Sequence, residues 1–566
     1  MKLSDVSLNK YRAADILLLW ILAACLISNI WLSVSEPLTF FQAVANVVLP
    51  AGIYIFLMSI SSHVGRTGLW MITAMFFSAF QLVLLYMYGR SVIAVDMFLN
   101  VITTNPEEVG ELLGNMAPII IAIVGIYVTP IVASTVAVVR KWRLSQHSQR
   151  LWRRTGYIVT LAGLLFFGLG FASGNYSPHK DLFPLNAIYN VGLAIDRTTR
   201  LAHYPETSAG YTFMASSERP DSLPEIYVAV IGETARADNW QILGYPRPTT
   251  PALMNRPGVI AFPRVLSQSN TTHKSVPMLL SALDASNFAD SLYSSKSLIT
   301  AFREAGFTTA FFSNQNRNHS FIDRFGQEAD TCIFIGDDSP AITRRHDTDL
   351  LSYLDRQIAR HHTKLLIVLH CYGSHFSYYD RYPRSQARFM PDGPCGAEPS
   401  RRNELINAYD NTILTTSSLL ASIASRLDST GTPAAMIYTS DHGEDIFDDS
   451  RRLFLHASPC PSYWQIHVPL IVWMSDAYRA AFPGIFEATK ANSPKFVASS
   501  QAYFHSLLQL AGISSPRFNE RASVVSKTYT PAPPSYLNDH NECVDLTEAG
   551  FLEPDFHKLD SVGIPR

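Results

Sequence analysis

At 566 residues the chain exceeds the ~100 to 200 residues of an ordinary domain, so at least two units are expected. A formal net charge of −2 with 16% charged residues argues against a dedicated nucleic-acid binder, which would carry a basic face. Long uncharged runs fill the first third and short apolar stretches alternate with polar ones beyond it, which points to a membrane protein with a soluble part.

Five runs are each long enough for a helix across a ~30 Å hydrocarbon core, which takes ~20 residues. They are Ala14 to Val34, Thr39 to Ile60, Gly68 to Tyr88, Ala117 to Val139 and Gly156 to Ala172. Buried helices of a soluble protein would show polar faces at helical spacing, and these runs show almost none, so all are predicted to span the membrane. The first is too long for a signal peptide's apolar region and has no small-residue cleavage site before the second, so it reads as a retained helix. Lys2, Lys10 and Arg12 precede the first run, Arg66 lies between the second and third, and Arg140, Lys141, Arg143, Arg150, Arg153 and Arg154 lie between the fourth and fifth. By the positive-inside rule these segments are cytoplasmic, the alternate ones carrying Glu36, Asp96, Glu107, Glu108 and Glu111 against Arg90 alone. Everything after about Gly174 is then outside.

The expected organisation is a five-helix transmembrane domain over residues 1–174, with an extracytoplasmic loop at 90–116, a bridging helix or linker at 175–223, and a soluble domain at 224–566. In the bridge, "FPLNAIYNVGLAI" at Phe183 to Ile195 has apolar residues at helical spacing, suiting either the membrane interface or a plain connecting helix. Strands are predicted at Ile226 to Ile231, Thr309 to Ser313, Leu365 to His370, Ala435 to Thr439 and Pro469 to Trp473. Helices are predicted at Ser297 to Ala305, Asp347 to Arg360, Asn403 to Leu427 and Ser499 to Ala511, with Gly512 as the last one's stop. Such alternation predicts an α/β domain with a mostly parallel sheet, whose ligands bind beyond the carboxyl ends of the strands. The tail after about Thr528 reads as irregular surface chain. Cys332, Cys371, Cys395, Cys460 and Cys543 permit one or two disulfides whose pairing the sequence does not reveal.

Chemistry gathers at the strand ends. "YTSDHGED", Tyr438 to Asp445, puts Asp441 and His442 where a strand stops, a hard oxygen and an imidazole that together suit Zn²⁺, although Asp, Gly and Glu are also ordinary turn residues. Glu233 follows the run Ile226 to Ile231, placed to share a metal with them. "SQSNTTHKSVPMLLS", Ser267 to Ser281, carries Ser269, Thr271, Thr272 and Ser275 ahead of a helical segment, whose first amides stabilise an oxyanion or phosphate. His375 in "HCYGSHFSYYDRYP" and His456 in "FLHASPC" are candidates to bind a second metal or to protonate a leaving group.

"IGETARADNWQILGYPRPTTP", "SQSNTTHKSVPMLLS", "HCYGSHFSYYDRYP" and "SDHGED", in this order after five spans, resemble the lipid-linked phosphoethanolamine transferases of Gram-negative inner membranes, members of the alkaline-phosphatase and sulfatase superfamily. The resemblance covers nearly the whole chain. It implies a threonine nucleophile at Thr272, zinc ligands at Glu233, Thr272, Asp441 and His442, with one zinc ion or two, and paired histidines at His375 and His456, with His467 competing for the second place. It also places the donor headgroup near Asn100, Thr104 and Glu108. Many lipid A-directed members carry a cysteine on either side of the nucleophile segment; Asn270 and Met278 stand near those places here. "LAGISSPRFNERASVV", Leu510 to Val525, is closer to members acting on the lipopolysaccharide core, and His319 falls near where some relatives have a lysine.

The implied activity is a zinc-dependent transfer of phosphoethanolamine from phosphatidylethanolamine to lipopolysaccharide, lipid A or core, or another envelope acceptor. It runs through a phospho-threonine with release of diacylglycerol, chemistry that in lipid A modification confers polymyxin resistance. The expected setting is a monomer in the bacterial inner membrane, amino terminus cytoplasmic and catalytic domain periplasmic, with no nucleic-acid partner. The alternatives are a phosphoglycerol transferase or phosphodiesterase of the same superfamily, or a non-catalytic membrane-anchored binding protein.

Overall fold

The computed structural model describes residues 3–103, 117–174, 176–338, 345–394, 396 and 398–566. The chain divides into two compact units, Met1–Phe98 with Leu112–Asp196, and Leu99–Glu111 with Arg197–Arg566.

The first unit is a helical membrane domain. Its helices α1 (Leu3–Ser35), α2 (Phe40–Ser59), α3 (Val64–Trp70) and α4 (Ile72–Tyr88) are followed by a segment helical from Pro118 to Val139, then by α5 (Gln146–Ala172). Among the described residues four helices are long and apolar enough to cross a membrane, and α3 with α4, bent by 49° at their break, makes a fifth where the pair counts as one span. The third predicted run is thus broken at Met71, and Arg150, Arg153 and Arg154 lie inside α5 rather than in the preceding loop. Gly156, Gly163 and Gly170 recur every seventh residue along α5, and a Cβ added at Gly163 would sit 2.5 Å from the Leu49 Cα of α2. In lipid, where apolar burial gives helices no preference for each other, this backbone approach is what packs them. Gly163→Leu is therefore expected to lower bundle stability by about 2 to 4 kcal/mol, read as earlier thermal unfolding in detergent.

The second unit is a three-layer α/β domain. Its sheet holds β1 (Glu225–Gly232), β2 (Val259–Phe262), β3 (Thr308–Ser313), β4 (Thr331–Phe334), β5 (Lys364–His370), β6 (Ala434–Ser440) and β7 (Leu470–Met474) in the order β2-β7-β6-β1-β5-β3-β4. β1 pairs in parallel with β5 and β6, and β3 with β4 and β5; β7 runs antiparallel to both its neighbours. All five predicted strands are present, and the sheet is mostly parallel as expected. The two strands not foreseen, β2 and β4, are short, partly exposed edges whose pattern is correspondingly weak.

Side chains alternate along β1. Tyr227, Ala229 and Ile231 face a core shared with α6 (Thr272–Leu280) and α8 (Ser499–Leu510), whereas Val228 and Val230 face one shared with α7 (Arg402–Ser429). Burial on both faces is why these strands read as continuous apolar runs. Gly512, at φ +61°, follows α8 in the left-handed region that favours glycine, as the stop signal required. Tyr204 and Phe213 are buried in the first of these cores, so this unit's packing begins ahead of β1.

The tail departs from expectation. Tyr536–Leu537 pairs with Cys543–Val544, and a helix spans Glu553–Val562. Tyr536, Leu546, Phe551, Phe556 and Leu559 are scattered in sequence, yet gather on Tyr463 and Ile466 in a small core of their own. The thiols of Cys25, Cys332, Cys371 and Cys543 are free, and Cys395 lies outside the described residues.

Candidate active site

β1 and β6 lie side by side at the centre of the sheet, and both end at the same rim. Glu233 follows β1 at 1% exposure, and Asp441 and His442 follow β6 at 0%. Thr234, a β-branched residue at φ +61°, makes the turn after Glu233. Its strain is held by neighbours: its N–H donates to Asp441 Oδ1 at 3.1 Å, its carbonyl accepts from the Tyr409 hydroxyl at 2.7 Å, and its own hydroxyl donates to Glu233 Oε1 at 2.8 Å.

Thr272 opens α6. The N-cap residue, Thr271, makes no side-chain capping bond, and the hydroxyls of Ser269 and Thr271 pair with each other at 3.2 Å. The Thr272 hydroxyl donates to Glu233 Oε1 at 3.1 Å and lies 3.1 Å from His442 Nε2. His442 Nε2 is also 3.3 Å from both Glu233 Oε1 and Asp441 Oδ2, while Nδ1 donates to the Gly443 carbonyl at 2.9 Å. The four residues foreseen as ligands thus converge on one point.

His456 joins them, its ring 4.2 Å from that of His442 and 5.7 Å from that of His375. Glu233, His442 and His456 each offer a ligand atom within 4.8 Å of the others. His467 is elsewhere. Its Nδ1 lies 2.7 Å from both Asp238 Oδ2 and the Tyr463 hydroxyl, and its Nε2 is 3.0 Å from the Pro263 carbonyl, so both ring nitrogens serve structure. Asn100 lies in the helix Val95–Thr103; Thr104 and Glu108 fall outside the described residues. Asn270 and Met278 are both buried, and His319 lines an apolar cavity with Leu201, Phe288 and Phe321.

The electrostatics ask for a cation. Burial, then the charge of Glu233, pushes Asp441 up to about 7. Burial would lower His442, but Asp441 and Glu233 outweigh it and raise the imidazole to about 9. Burial would raise Glu233 too, yet its hydrogen bond to His442 and the nearby histidines hold it well below the usual carboxylate range. Glu444 is raised well above that range, chiefly by burial. Asp441 Oδ2 is buried and accepts no hydrogen bond, although it faces the cluster. A group of oxygens with one imidazole and an orphaned carboxylate oxygen is a donor set suited to a divalent metal.

Two supporting residues escaped the sequence reading. Gln315, two residues beyond β3, donates from Nε2 to Glu233 Oε2 and to the Cys371 carbonyl, each at 3.0 Å. Asp347, buried, accepts from the N–H groups of Tyr372 and Gly373 at 2.7 and 2.8 Å and from Asn314 Nδ2 at 2.8 Å, which shapes the loop carrying His375. The strand-end position of Gln315 was the available signal; nothing local marked Asp347. Gly373, at φ +58°, belongs to the same turn, where a Cβ would meet the Glu233 carbonyl at 2.4 Å. Gln315 orients the Glu233 carboxylate; were zinc held there, Gln315→Leu would weaken its binding by about ten- to a hundredfold, measured by competition with a chromogenic chelator.

The sulfatase family model matches residues 225–513. The chain is 30% identical over 396 residues to phosphatidylethanolamine transferase Mcr-1 of Escherichia coli, across 66% of this chain and 71% of that one. It is 25% identical over 371 residues to phosphoethanolamine transferase EptC of E. coli K12, spanning 60% of that relative's length and 63% of its own. The solved C-terminal periplasmic domain of E. coli EptC in complex with Zn superposes at TM-score 0.54 and 23% identity, over 59% of this chain and 95% of that one. The integral membrane protein EptA of Neisseria meningitidis, a lipooligosaccharide phosphoethanolamine transferase, shares the fold at TM-score 0.73 and 22% identity, over 90% of this chain and 98% of that one.

Proposed function

This chain belongs to the lipid-linked phosphoethanolamine transferases of the sulfatase superfamily, and from that premise we propose that it transfers phosphoethanolamine from phosphatidylethanolamine to lipopolysaccharide, through a covalent intermediate on Thr272. The observation that carries the reading is the Thr272 hydroxyl standing 3.1 Å from both Glu233 Oε1 and His442 Nε2, a nucleophile inside a ligand set.

In this reading Glu233, Thr272, Asp441 and His442 hold zinc, a metal also present in the solved EptC domain. When bound, zinc lowers a hydroxyl's pKa and neutralises charge on phosphoryl oxygens. Thr272 Oγ1 gives up its proton to solvent and attacks the donor phosphorus; the bond from phosphorus to the glyceryl oxygen breaks, and that oxygen takes a proton as diacylglycerol leaves. An acceptor phosphate or hydroxyl then attacks the phospho-threonine and frees Thr272. His375 and His456 deliver a proton to the first leaving group and remove one from the acceptor. The apolar cavity beside His273 and Lys274, the two residues after Thr272, suits a lipid donor, and His319 on its wall offers an imidazole to a phosphate. Asn100, Thr104 and Glu108 are proposed to receive the ethanolamine headgroup. Lipopolysaccharide as acceptor is carried over from a relative 30% identical over 277 residues, the Kdo(2)-lipid A phosphoethanolamine 7''-transferase of Salmonella typhimurium. The basic loops support an inner-membrane protein with a cytoplasmic amino terminus and a periplasmic catalytic domain; a monomer is proposed.

The test is intact-mass spectrometry of the zinc-loaded protein, without acceptor, after incubation with phosphatidylethanolamine or phosphatidylglycerol, together with assay of released diacylglycerol. A phosphoethanolamine adduct from the first lipid alone is expected. An adduct from phosphatidylglycerol instead would make the protein a phosphoglycerol transferase, and no adduct from either lipid would leave a binding protein.

A further inference from the structure

Asn270 lies two residues ahead of Thr272, is 3% exposed, and has its whole amide engaged. Nδ2 donates to the Ser458 carbonyl at 2.8 Å and to Gln465 Oε1 at 2.6 Å; Oδ1 accepts from the Tyr536 hydroxyl at 2.7 Å. The Ser458 carbonyl can only accept, which fixes the nitrogen end of the amide. The Asn270 carbonyl accepts from the N–H of Ala457, next to His456, at 3.2 Å. Gln465 extends the chain of bonds, its Nε2 donating to Asp445 Oδ2 at 2.7 Å and its carbonyl accepting from Gly443 N–H at 2.8 Å, next to His442. The tail closes over the same loop, with Leu537 N–H donating to the Gln268 carbonyl and Gln268 Nε2 to Ser535 Oγ, each at 2.7 Å.

The Asn270 side chain therefore joins the nucleophile loop to the His456 loop and the carboxyl-terminal tail directly, and to the His442 turn through Gln465. Ser267 ties the start of the nucleophile loop to the Asp441 carbonyl at 2.6 Å, and Lys274 Nζ donates to the Asn538 carbonyl of the tail at 2.8 Å, but the links from beside Thr272 to the His456 and His442 segments run through Asn270. We propose that Asn270 is a positioning residue that sets Thr272 against His442 and His456, and that the tail at Tyr536 is a working part of the site. The proposal rests on Thr272 as nucleophile. Its physical basis is that displacing a reacting group by about 1 Å costs roughly a hundredfold in rate.

The experiment compares Asn270→Ala, Tyr536→Phe and the double variant in full-length, zinc-loaded protein. It measures kcat and KM for headgroup release from phosphatidylethanolamine in mixed micelles, and amide hydrogen exchange of peptides covering 268–275 and 455–460. Asn270→Ala is expected to lower kcat roughly ten- to a hundredfold with KM within about twofold and zinc content unchanged, and to speed exchange in both peptides. Tyr536→Phe lowers kcat by less, and the double variant is no slower than Asn270→Ala, because both act through one bond. An unchanged kcat, a fall explained by lost folded protein or lost zinc, or multiplying effects in the double variant would overturn the proposal. If Asn270→Ala does not fold, Tyr536→Phe decides alone, a wild-type kcat overturning it. The exchange arm needs no turnover, so unchanged exchange at 455–460 refutes the coupling whatever the substrate. Thr272→Ala, run alongside, separates the two readings: activity surviving in it sinks the nucleophile, whereas activity lost in it but kept in Asn270→Ala sinks only the positioning role.

Discussion

Thr272→Ala is expected to abolish headgroup transfer, lowering kcat by roughly four to six orders of magnitude, while leaving the fold nearly untouched. The split follows from where Thr272 sits. As the first residue of α6 its backbone is helical, and alanine is the better helix former there, so stability should move by less than about 0.5 kcal/mol. Its hydroxyl, by contrast, is the group aimed at Glu233 and His442. Thr272→Ser restores an oxygen but loses the β-methyl that limits χ1, so a kcat about tenfold below wild type is expected. Diacylglycerol release gives the rates and intact mass gives the covalent adduct. An adduct persisting in Thr272→Ala would place the nucleophile elsewhere, with Ser269 and Thr271 the next hydroxyls to test.

Glu233, Asp441 and His442 were legible because each follows a long strand, whereas Thr272 was singled out from Ser269, Thr271 and Ser275 only by the family resemblance. Strands buried on both faces leave runs such as Ile226 to Ile231 that end abruptly, so the polar residue that follows stands out. His456 and His467 were not separable, since each is one imidazole in a short loop; Asp238 and the Pro263 carbonyl, more than two hundred residues away, capture His467 together with Tyr463. Asp347 and Asn270 were silent for the same reason, their meaning lying in partners tens to hundreds of residues away, and Gln315 had only its strand-end position. The tail misled because Tyr536–Leu537 and Phe551–Leu552 are short apolar pairs in polar chain, and only the fold gathers Tyr536 and Phe551 into one core. In the membrane unit the spans were legible from hydropathy, but the bend at Met71 and the glycine face of α5 are packing features that composition does not record.

Asp441→Asn is expected to stabilise the metal-free protein and to remove the stabilisation that zinc confers. Asp441 is fully buried beside Glu233, and its carboxyl is held up at about 7 by burial and that charge. A carboxyl whose folded pKa is raised stabilises the fold below its unfolded value, near 3.9, and loses that contribution as pH climbs through the folded value. Above about pH 7 the ionised Asp441 is thus a net cost without metal. Asparagine keeps an oxygen for the N–H groups of Thr234 and His442 and puts a neutral amide where Oδ2 now accepts no hydrogen bond. In EDTA at pH 8 the variant should be more stable by about 1 to 3 kcal/mol, with the advantage fading by pH 5. With zinc at a hundred times its Kd the wild type gains about 2.7 kcal/mol, whereas the variant, one anionic ligand short, gains almost nothing. Thermal unfolding in EDTA and in zinc at the two pH values reads both effects. A variant less stable than wild type in EDTA at pH 8 would mean that the buried carboxylates are not in conflict. An undiminished zinc shift would remove Asp441 from the ligand set.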